Sequence, residues 1–336
     1  MDYGFHRVIE PVGAIPQTAR KLDARPELLS PTEILLDVSL LNLDSTGMAQ
    51  LQSTGRAIEE QVMEIVGMRG KMHNPVSNSG GVLLGTVQEI GSEVSRGFSP
   101  HVGDMIIPLV SSSTLPLHLE EIMAVSGDQL SVRGTAVLFD GMAYTPAPAD
   151  IPLPIALSIL DISSIVPQVY RHVRPGQTVL VLGAGKSGAA AMAAIRKKSP
   201  DIRIIALDRD ADCLDQIMTL GLADIKIETN AARPETVLGR VSEATAGELC
   251  DVVLNCVNVP DTEATSILCA RRGGTVVFYS MATRFDRAAL GTDATDNDVR
   301  LIIGNGIAEG QAELALDLFR GHSGLLAYFQ ERTQAG

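Results

Sequence analysis

The feature that most constrains the fold of this chain is a glycine-rich turn between a buried strand and a helix. Thr178–Leu182 is predicted to be the strand, because it is a short and almost entirely apolar run, and Ser187–Lys198, which is rich in small residues, is predicted to be the helix. Between them Gly183-Ala184-Gly185-Lys186-Ser187-Gly188 has the spacing G-x-G-x-x-G, and Asp208 ends the next predicted strand. This context predicts a strand–turn–helix unit that binds a ligand at the turn.

The residues of this turn predict that the ligand is a dinucleotide. Gly183 permits a tight turn, Gly185 lets the backbone approach a pyrophosphate at the start of the helix, and Gly188 lets the helix lie close to the strand. Asp208 can accept hydrogen bonds from both adenosine ribose hydroxyls and would repel a 2′-phosphate, which favours NAD over NADP. Arg209 could instead pair with that phosphate, so NADP remains open.

The chain changes its pattern near residue 150, which predicts two domains. Before that point short apolar runs alternate with Gly, Pro and Ser turns, as is typical of a mostly β domain, and one helix is predicted near residues 57–66. From about Ile155 strands and helices alternate regularly, which implies a doubly wound parallel sheet. We therefore expect an α/β protein with a mostly β domain over residues 1–152 and a Rossmann domain with a helical tail over residues 153–336.

Composition and charge exclude several classes of protein. The net charge of −13 disfavours binding to nucleic acid and to anionic lipid, which are both polyanions. The N-terminus has no signal-peptide pattern, and no apolar run is long enough for a membrane span. The four cysteines are scattered without a Cys-x-x-Cys pair, so neither a disulfide framework nor a structural zinc site is expected. We expect a cytoplasmic protein that acts on a small molecule.

Two further turns follow strands of the predicted Rossmann domain. Asn255-Cys256-Val257-Asn258 ends the fourth strand, and Ser280-Met281-Ala282-Thr283 ends the fifth. Because ligands bind outside the carboxyl ends of such strands, both turns should flank the nicotinamide and its ribose. Alternatively they are only capping and turn residues, and Cys256 packs rather than acts as a nucleophile. The predicted cofactor-binding residues are Gly183, Gly185, Lys186, Ser187, Gly188, Asp208, Arg209, Asn255, Cys256, Val257, Ser280 and Met281.

The order of the two domains resembles the medium-chain dehydrogenase/reductase superfamily, whose first domain is GroES-like. Gly85-Thr86-Val87-Gln88-Glu89-Ile90-Gly91, followed by Val102-Gly103-Asp104, is similar to a glycine-containing segment of that superfamily. Zinc-dependent members carry a histidine ligand where this chain has Gly81, and Asn42-Leu43-Asp44-Ser45 stands at their early ligand region without a thiolate. The resemblance therefore implies an enzyme with no catalytic metal.

A closer resemblance extends over nearly the whole chain to the L-erythro-3,5-diaminohexanoate dehydrogenase family. It is carried by strings such as His6-Arg7-Val8-Ile9-Glu10-Pro11, Arg69-Gly70-Lys71-Met72, Ser79-Gly80-Gly81 and Asn255-Cys256-Val257-Asn258-Val259-Pro260. It implies oxidation of the C3 amino group of a diamino acid with NAD(P)⁺, in lysine fermentation, by a homodimer or homotetramer.

This reaction needs a general base, and the resemblance suggests two carboxylates. Asp44 is the first candidate, because it falls where zinc-dependent relatives place an active-site hydroxyl and ligand. Asp161 is the second, because it lies in an apolar run near another ligand position, where burial would raise its pKa. His73 is a weaker candidate. Alternatively Asp44 caps a helix or turn, and Asp161 is a buried N-cap.

The substrate also carries a carboxylate and a second ammonium group, which need counter-charges. One of the two aspartates could hold the C5 ammonium while the other serves the reacting amine. Arg69 or Lys71 could bind the substrate carboxylate, and Lys71 is included among the catalytic residues. Asn74 is a further predicted substrate-binding residue. The alternative is that Arg69 and Lys71 are solvated surface charges.

Two other functions fit the same sequence features. A zinc-free reductase of this fold could act on an enone or quinone with NADPH, although such a site needs few carboxylates. A non-catalytic protein that senses the dinucleotide would keep the glycines and show no turnover with any amine. Turnover of the diamino acid distinguishes both from the dehydrogenase.

Overall fold

The computed structural model describes residues 2–95, 97, 100–295, 297–304 and 306–335 and divides into two compact units. The first unit holds the residues up to Asp161 together with the segment from Gln330, and the second unit is Ile162–Phe329. The division therefore follows Asp161 rather than the predicted Pro152, and the end of the helical tail returns to the first unit.

The helix that precedes the division explains this difference. Leu153–Asp161 forms a helix that packs on two strands of the first unit. Its Ser158 hydroxyl lies 3.2 Å from Oδ1 of Asn42 and 3.0 Å from the hydroxyl of Thr333 near the C-terminus. All three side chains are buried, so polar groups that need partners hold this helix and the tail on the first unit.

The first unit is built on antiparallel sheets, as the alternation of apolar runs and turns predicted. A two-stranded sheet and a six-stranded sheet of order β6-β7-β3-β4-β5-β8 contain the strands β1 (Val8–Glu10), β2 (Lys21–Leu22), β3 (Glu33–Asn42), β4 (Val82–Ile90), β5 (Met105–Pro108), β6 (Leu117–Ser126), β7 (Gln129–Phe139) and β8 (Tyr144–Pro146). The helices are α1 (Ser45–Ser53), α2 (Ile58–Arg69) and α3 (Leu153–Asp161). Buried aliphatic side chains of the strands, α1 and α2 form its core.

The second unit is the predicted doubly wound sheet, with strands in the order β11-β10-β9-β12-β13-β14 and every pair parallel. Its strands are β9 (Thr178–Leu182), β10 (Arg203–Asp208), β11 (Ile225–Glu228), β12 (Cys250–Asn255), β13 (Ala270–Phe278) and β14 (Arg300–Ile303). Its helices are α4 (Ile165–His172), α5 (Lys186–Lys198), α6 (Ala211–Thr219), α7 (Pro234–Ala244), α8 (Glu263–Leu268), α9 (Phe285–Thr295), α10 (Gln311–Arg320) and α11 (Ser323–Ala335), the last of which ends in the first unit. In the described part of the chain no single helix is long and apolar enough to cross a membrane.

The strand order fixes where a ligand can bind in the second unit. The chain moves from β9 to β10 and β11 on one side, then crosses back to β12 on the other side of β9. Asn255 at the end of β12 pairs in register with Leu182 at the end of β9 and with Phe278 at the end of β13. The turns after these strands therefore lie at one edge, at the switch point where open α/β sheets bind ligands.

Candidate active site

The glycine turn after β9 has the geometry that a pyrophosphate needs. Gly183 has φ +99°, a conformation that favours glycine, and Gly185 precedes α5 without any side-chain cap. A Cβ at Gly188 would lie 1.8 Å from the carbonyl oxygen of Gly183, whereas a Cβ at Gly185 would meet no atom within 4 Å. The packed side of the turn thus requires glycine, and the open side leaves room for a ligand beside the half-buried Lys186 and Ser187. These residues fit a dinucleotide.

The carboxylate of Asp208 lies directly against this turn. Its Oδ2 accepts a hydrogen bond from the Ala184 N–H at 2.6 Å, and its Oδ1 accepts one from the Asp210 N–H at 3.1 Å. Each carboxylate oxygen can accept more than one hydrogen bond, so ribose hydroxyls can still be bound. Arg209 beside it is exposed. The structure therefore gives Asp208 a role in shaping the turn that the sequence did not predict.

The turns after β12 and β13 are joined to each other at the same edge. Oδ1 of Asn258 accepts a hydrogen bond from the Met281 N–H at 3.0 Å, and Oε1 of the buried Glu263 accepts one from the Arg284 N–H at 2.7 Å. A Cβ at Gly183 would lie 3.3 Å from the Cys256 carbonyl, so the glycine turn is an immediate neighbour. The three predicted cofactor-binding segments are thus brought together, and their contact with the nicotinamide stays a prediction.

Two side chains of these turns hold the turns themselves. The amide nitrogen of the fully buried Asn255 donates to the hydroxyls of Thr262 and Ser266 at 2.9 and 3.0 Å, and its oxygen accepts from the Val257 N–H at 3.2 Å. The Ser280 hydroxyl likewise accepts from the Ala282 N–H at 3.0 Å. The structure therefore supports the alternative that Asn255 and Ser280 are capping and turn residues.

The thiol of Cys256 is not suited to nucleophilic chemistry. Burial raises its pKa to about 12, because the charged thiolate loses its hydration. At neutral pH it remains a protonated thiol. The interpretation of Cys256 as a packing residue is the one that its environment supports.

In the first unit Asp44 is the N-cap of α1, as one alternative predicted. Its Oδ1 accepts a hydrogen bond from the Gly47 N–H at 2.9 Å, and its Oδ2 accepts one from the Ser79 hydroxyl. The Ser79 hydroxyl is 2.7 Å from that of Ser77. The carboxylate is half-buried, so it is held in one orientation without being sealed from solvent. Asp44, Ser79 and Ser77 therefore form a continuous chain of hydrogen bonds.

Sequence reasoning missed Ser77 and Ser79, although Ser79 begins one of the strings that carry the family resemblance. The available signal was the cluster of small polar residues before β4, in a segment without apolar periodicity. Nothing in the spacing placed that segment beside the start of α1.

Lys71 was predicted to bind the substrate carboxylate or to be solvated, and its side chain is instead fully buried. Its ammonium group donates to the carbonyl oxygens of Pro16 at 2.6 Å and Gln17 at 3.1 Å, so it pins the N-terminal segment. Burial, and next the positive charge of Arg69, lowers its pKa to about 8. The interpretation as a solvated charge is wrong, and the contact with substrate stays a prediction.

Asn74 also has a structural role that its predicted substrate contact did not include. The buried side-chain amide donates to the Gly47 carbonyl at 3.3 Å and to Oε1 of Gln50 at 2.9 Å. Its oxygen accepts from the N–H groups of Val76 and Ser77 at 2.8 and 3.2 Å. These four bonds use the usual capacity of an amide. A substrate group could bind the Asn74 side chain only by displacing one of them.

The remaining candidates differ in their surroundings. Asp161 is the last residue of α3 and half-buried, so the interpretation as an N-cap is wrong. Arg69 is the half-buried last residue of α2. His73 is 9% exposed, and its Nδ1 has no hydrogen-bond partner in the described part of the chain. Burial, followed by the charges of Lys71 and Arg69, lowers the His73 pKa to about 4, which leaves the imidazole neutral at neutral pH.

The position of the missing zinc ligand has no room for a side chain. Gly81 has φ +77°, and a Cβ there would lie 1.8 Å from the carbonyl oxygen of Asn42 at the end of β3. A Cβ at the preceding Gly80 would lie 2.3 Å from the Met72 carbonyl oxygen. No group of three or more His, Cys, Asp or Glu side chains that could hold a metal ion occurs among the described residues.

Comparisons with known proteins agree with this division of the chain. The family of L-erythro-3,5-diaminohexanoate dehydrogenase N-terminal domains matches residues 6–148, and a family described as zinc-binding dehydrogenase matches residues 188–302. A mycobacterial protein solved as a complex with NADPH has a TM-score of 0.58 at 16% identity, over 93% of this chain and 91% of that one. At this identity the likeness concerns the fold alone.

Two curated relatives are similar over nearly their whole length. The chain is 41% identical over 326 residues to the L-erythro-3,5-diaminohexanoate dehydrogenase of Acetoanaerobium sticklandii. The aligned residues cover 95% of this chain and 94% of the relative. It is 39% identical over 339 residues to the enzyme of the same name from Fusobacterium nucleatum subsp. nucleatum, over 98% and 97%. Its fold is shared with a solved quinone oxidoreductase and a solved alcohol dehydrogenase, at TM-scores of 0.57 and 0.55 and identities of 17% and 21%. The chain therefore belongs to the L-erythro-3,5-diaminohexanoate dehydrogenase family.

Proposed function

We propose that this chain oxidatively deaminates L-erythro-3,5-diaminohexanoate at C3 to 5-amino-3-oxohexanoate and ammonium, as a step of lysine fermentation. The observation that carries the proposal is the identity of 41% to a dehydrogenase of that name over 95% of the chain. The glycine turn that fits a dinucleotide and the half-buried Asp44 carboxylate support it.

The reaction sets the order in which charges move. The C3 ammonium first loses a proton, because its nitrogen lone pair must form the C=N bond as hydride leaves C3. A bound nicotinamide supplies the acceptor for that hydride. Water then adds to the iminium carbon, and collapse of the adduct releases ammonium and leaves the ketone. The net change consumes NAD(P)⁺ and water and yields NAD(P)H, ammonium and a proton.

Asp44 is proposed to take the proton from the C3 ammonium. Its orientation is held by the Gly47 N–H and the Ser79 hydroxyl, so the carboxylate meets the amine in a fixed geometry. The Ser79 and Ser77 hydroxyls offer a path along which the proton can leave. Asp161 is proposed to pair with the C5 ammonium.

The substrate carboxylate is proposed to pair with Arg69. Lys71 and Asn74 are proposed to hold the segment of the chain that contains Arg69. Lys71 fixes the N-terminal segment through the carbonyls of Pro16 and Gln17, and Asn74 fixes the turn before β4. A direct contact of Lys71 or Asn74 with substrate remains part of the proposal, but it requires a rearrangement of these bonds.

The cofactor is proposed to be NAD⁺ in preference to NADP⁺. The support is the position of Asp208, whose negative charge lies at the turn beside the carboxyl end of β9 and would oppose a 2′-phosphate. Arg209 is exposed and is the residue that would serve NADP⁺ if the preference were reversed.

The assembly is proposed to be a homodimer or homotetramer. β14 is the last strand of the described six-stranded sheet, and its Leu301 and Ile303 side chains are 37% and 60% exposed. An open strand edge with apolar side chains is a surface that a second copy of the chain can cover. The cytoplasmic location stays a prediction.

The experiment that tests the function follows the absorbance of the reduced nicotinamide with L-erythro-3,5-diaminohexanoate and either NAD⁺ or NADP⁺, with ammonium release measured in parallel. We expect equal amounts of reduced cofactor and ammonium. A matched substrate without the C5 amino group should turn over with a higher KM if a carboxylate holds that ammonium. Binding of the dinucleotide without turnover of any amine would contradict the proposal, as would turnover of enones or quinones with NADPH alone.

A further inference from the structure

A tyrosine from the C-terminal helix contacts the backbone of the glycine turn. Tyr328 lies in α11 and is 4% exposed, and its phenol hydroxyl donates a hydrogen bond of 2.7 Å to the carbonyl oxygen of Ala184. Ala184 is the residue between Gly183 and Gly185. A buried phenol that donates to one particular carbonyl of a ligand-binding turn acts on the conformation of that turn.

The same alanine is also held at its N–H group. Oδ2 of Asp208 accepts the Ala184 N–H at 2.6 Å, so both backbone polar groups of this buried residue are bound by side chains. One side chain comes from the end of β10 and the other from α11. Because the flanking glycines leave the backbone many alternative conformations, these two bonds select one of them.

The Tyr328 bond sets the direction of a neighbouring N–H group. In a planar trans peptide the carbonyl and the N–H point in opposite directions. The carbonyl of Ala184 and the N–H of Gly185 belong to one peptide unit, so fixing that carbonyl on the phenol fixes the Gly185 N–H on the other side. The open space beside Gly185 and the start of α5 lie in this part of the turn. An anion there would be repelled by the carbonyl and attracted by the N–H.

We propose that Tyr328 is a positioning residue of the dinucleotide site, which directs the Gly185 N–H toward the pyrophosphate and keeps the Ala184 carbonyl away from it. This rests on the proposed binding of a nicotinamide dinucleotide at the turn. Tyr328 then adjusts cofactor affinity without touching the cofactor.

The test is the variant Tyr328→Phe, which removes one oxygen atom and keeps the ring that packs beside Phe329. We expect the Kd for NADH, measured by fluorescence or calorimetry, to rise about three- to tenfold, since one hydrogen bond no longer holds the turn. The KM for the cofactor should rise in parallel, while kcat at saturating cofactor and the KM for the diamino acid stay within about twofold. Tyr170→Phe is the matched control, because it removes a phenolic hydroxyl group from another helix of the same unit, α4.

Separate outcomes identify separate failures. If the unmodified chain binds no NADH, the proposed function fails. If it binds NADH and Tyr328→Phe binds equally well while losing thermal stability, Tyr328 is only structural and the inference is overturned.

If the variant does not fold, amide hydrogen exchange of the unmodified protein tests the role of Tyr328. NADH should slow amide hydrogen exchange in the peptide that spans Tyr328 as well as in the one that spans Ala184. Protection confined to the glycine turn would overturn the inference.

Discussion

Replacement of Asp208 by asparagine should separate the structural role of this carboxylate in the glycine turn from its proposed role in cofactor discrimination. One oxygen holds the Ala184 N–H at 2.6 Å, the other holds the Asp210 N–H at 3.1 Å, and the remaining acceptor capacity is available to ribose hydroxyls. In Asp208→Asn the side-chain oxygen can still hold the Ala184 N–H, but the second oxygen, its hydrogen bond to the Asp210 N–H and the negative charge are lost. The variant therefore keeps the turn and loses the cofactor discrimination.

The size of the effect follows from the bonds involved. A hydrogen bond to a charged group contributes about 1.5–3 kcal/mol, so kcat/KM for NAD⁺ should fall about ten- to a hundredfold. For NADP⁺ the loss of repulsion between the carboxylate and the 2′-phosphate should raise kcat/KM about fivefold or more. The unmodified enzyme should prefer NAD⁺ by about tenfold or more, and the combined change of about fiftyfold or more should abolish or reverse this preference.

Initial rates with each cofactor, at saturating diamino acid, measure this preference. Asp208→Ser is expected to lose about three- to tenfold more activity with both cofactors, because its shorter side chain leaves the Ala184 N–H without its acceptor. Asp212→Asn is the control, since it makes the same charge change at an exposed position of α6. An unchanged ratio in Asp208→Asn, or equal use of both cofactors by the unmodified enzyme, would refute the reasoning and point to Arg209.

Three other predictions concern the first unit. Asp44→Asn should lower kcat by ~10²-fold or more at normal NADH affinity, because asparagine still caps α1 but takes no proton, and higher pH should partly rescue the variant. Ser79→Ala should lower kcat less. A near-normal kcat in Asp44→Asn would move the base to Asp161 or His73. Activity should survive exhaustive chelation of metal ions. Gly81→His should lower the yield of folded protein without binding zinc, because the Cβ of the new histidine would lie 1.8 Å from the Asn42 carbonyl oxygen. Stoichiometric zinc found by metal analysis of the unmodified protein or of the variant would contradict these expectations. The pKa of His73 is about 4 in the folded chain and 6.5 in the unfolded chain. The contribution of neutral His73 to the free energy of unfolding should therefore be complete above pH 6.5, and on the order of 3 kcal/mol of it should be lost as the pH drops to about 4. Urea unfolding of His73→Gln should show a flatter acid limb, and an identical limb would contradict the assignment.

The parts of the fold that sequence could predict are those with local causes. The strand, turn and helix around Gly183 follow from an apolar run, glycine spacing and small residues that are adjacent in the chain. The alternation of strands and helices after Ile155 likewise needs only periodicity. α3 is apolar on nearly every side, so its sequence does not show which unit it packs against, and the predicted boundary fell before it.

The parts of the site that sequence could not predict depend on partners distant in the chain. Lys71 is a charged residue in a polar segment, and its buried ammonium group is satisfied by the carbonyls of Pro16 and Gln17, which lie far from it in the chain. The phenol of Tyr328 reaches a carbonyl in a turn that comes much earlier in the sequence. No spacing rule contains such information, because backbone acceptors have no residue-type signature.

The close approach of the Asn42 carbonyl to Gly81 has a consequence for any attempt to engineer a metal site into this chain. A metal ligand can be introduced by one substitution only where the backbone leaves room for its side chain. Here the end of β3 occupies the volume that a ligand side chain would need, so a zinc site would demand a backbone shift and new ligands together. Intermediates on that route would be poorly folded and without metal. A metal ligand at position 81 is therefore incompatible with the present backbone, and a change of activity in this chain is to be sought by exchange of polar side chains around Asp44 instead.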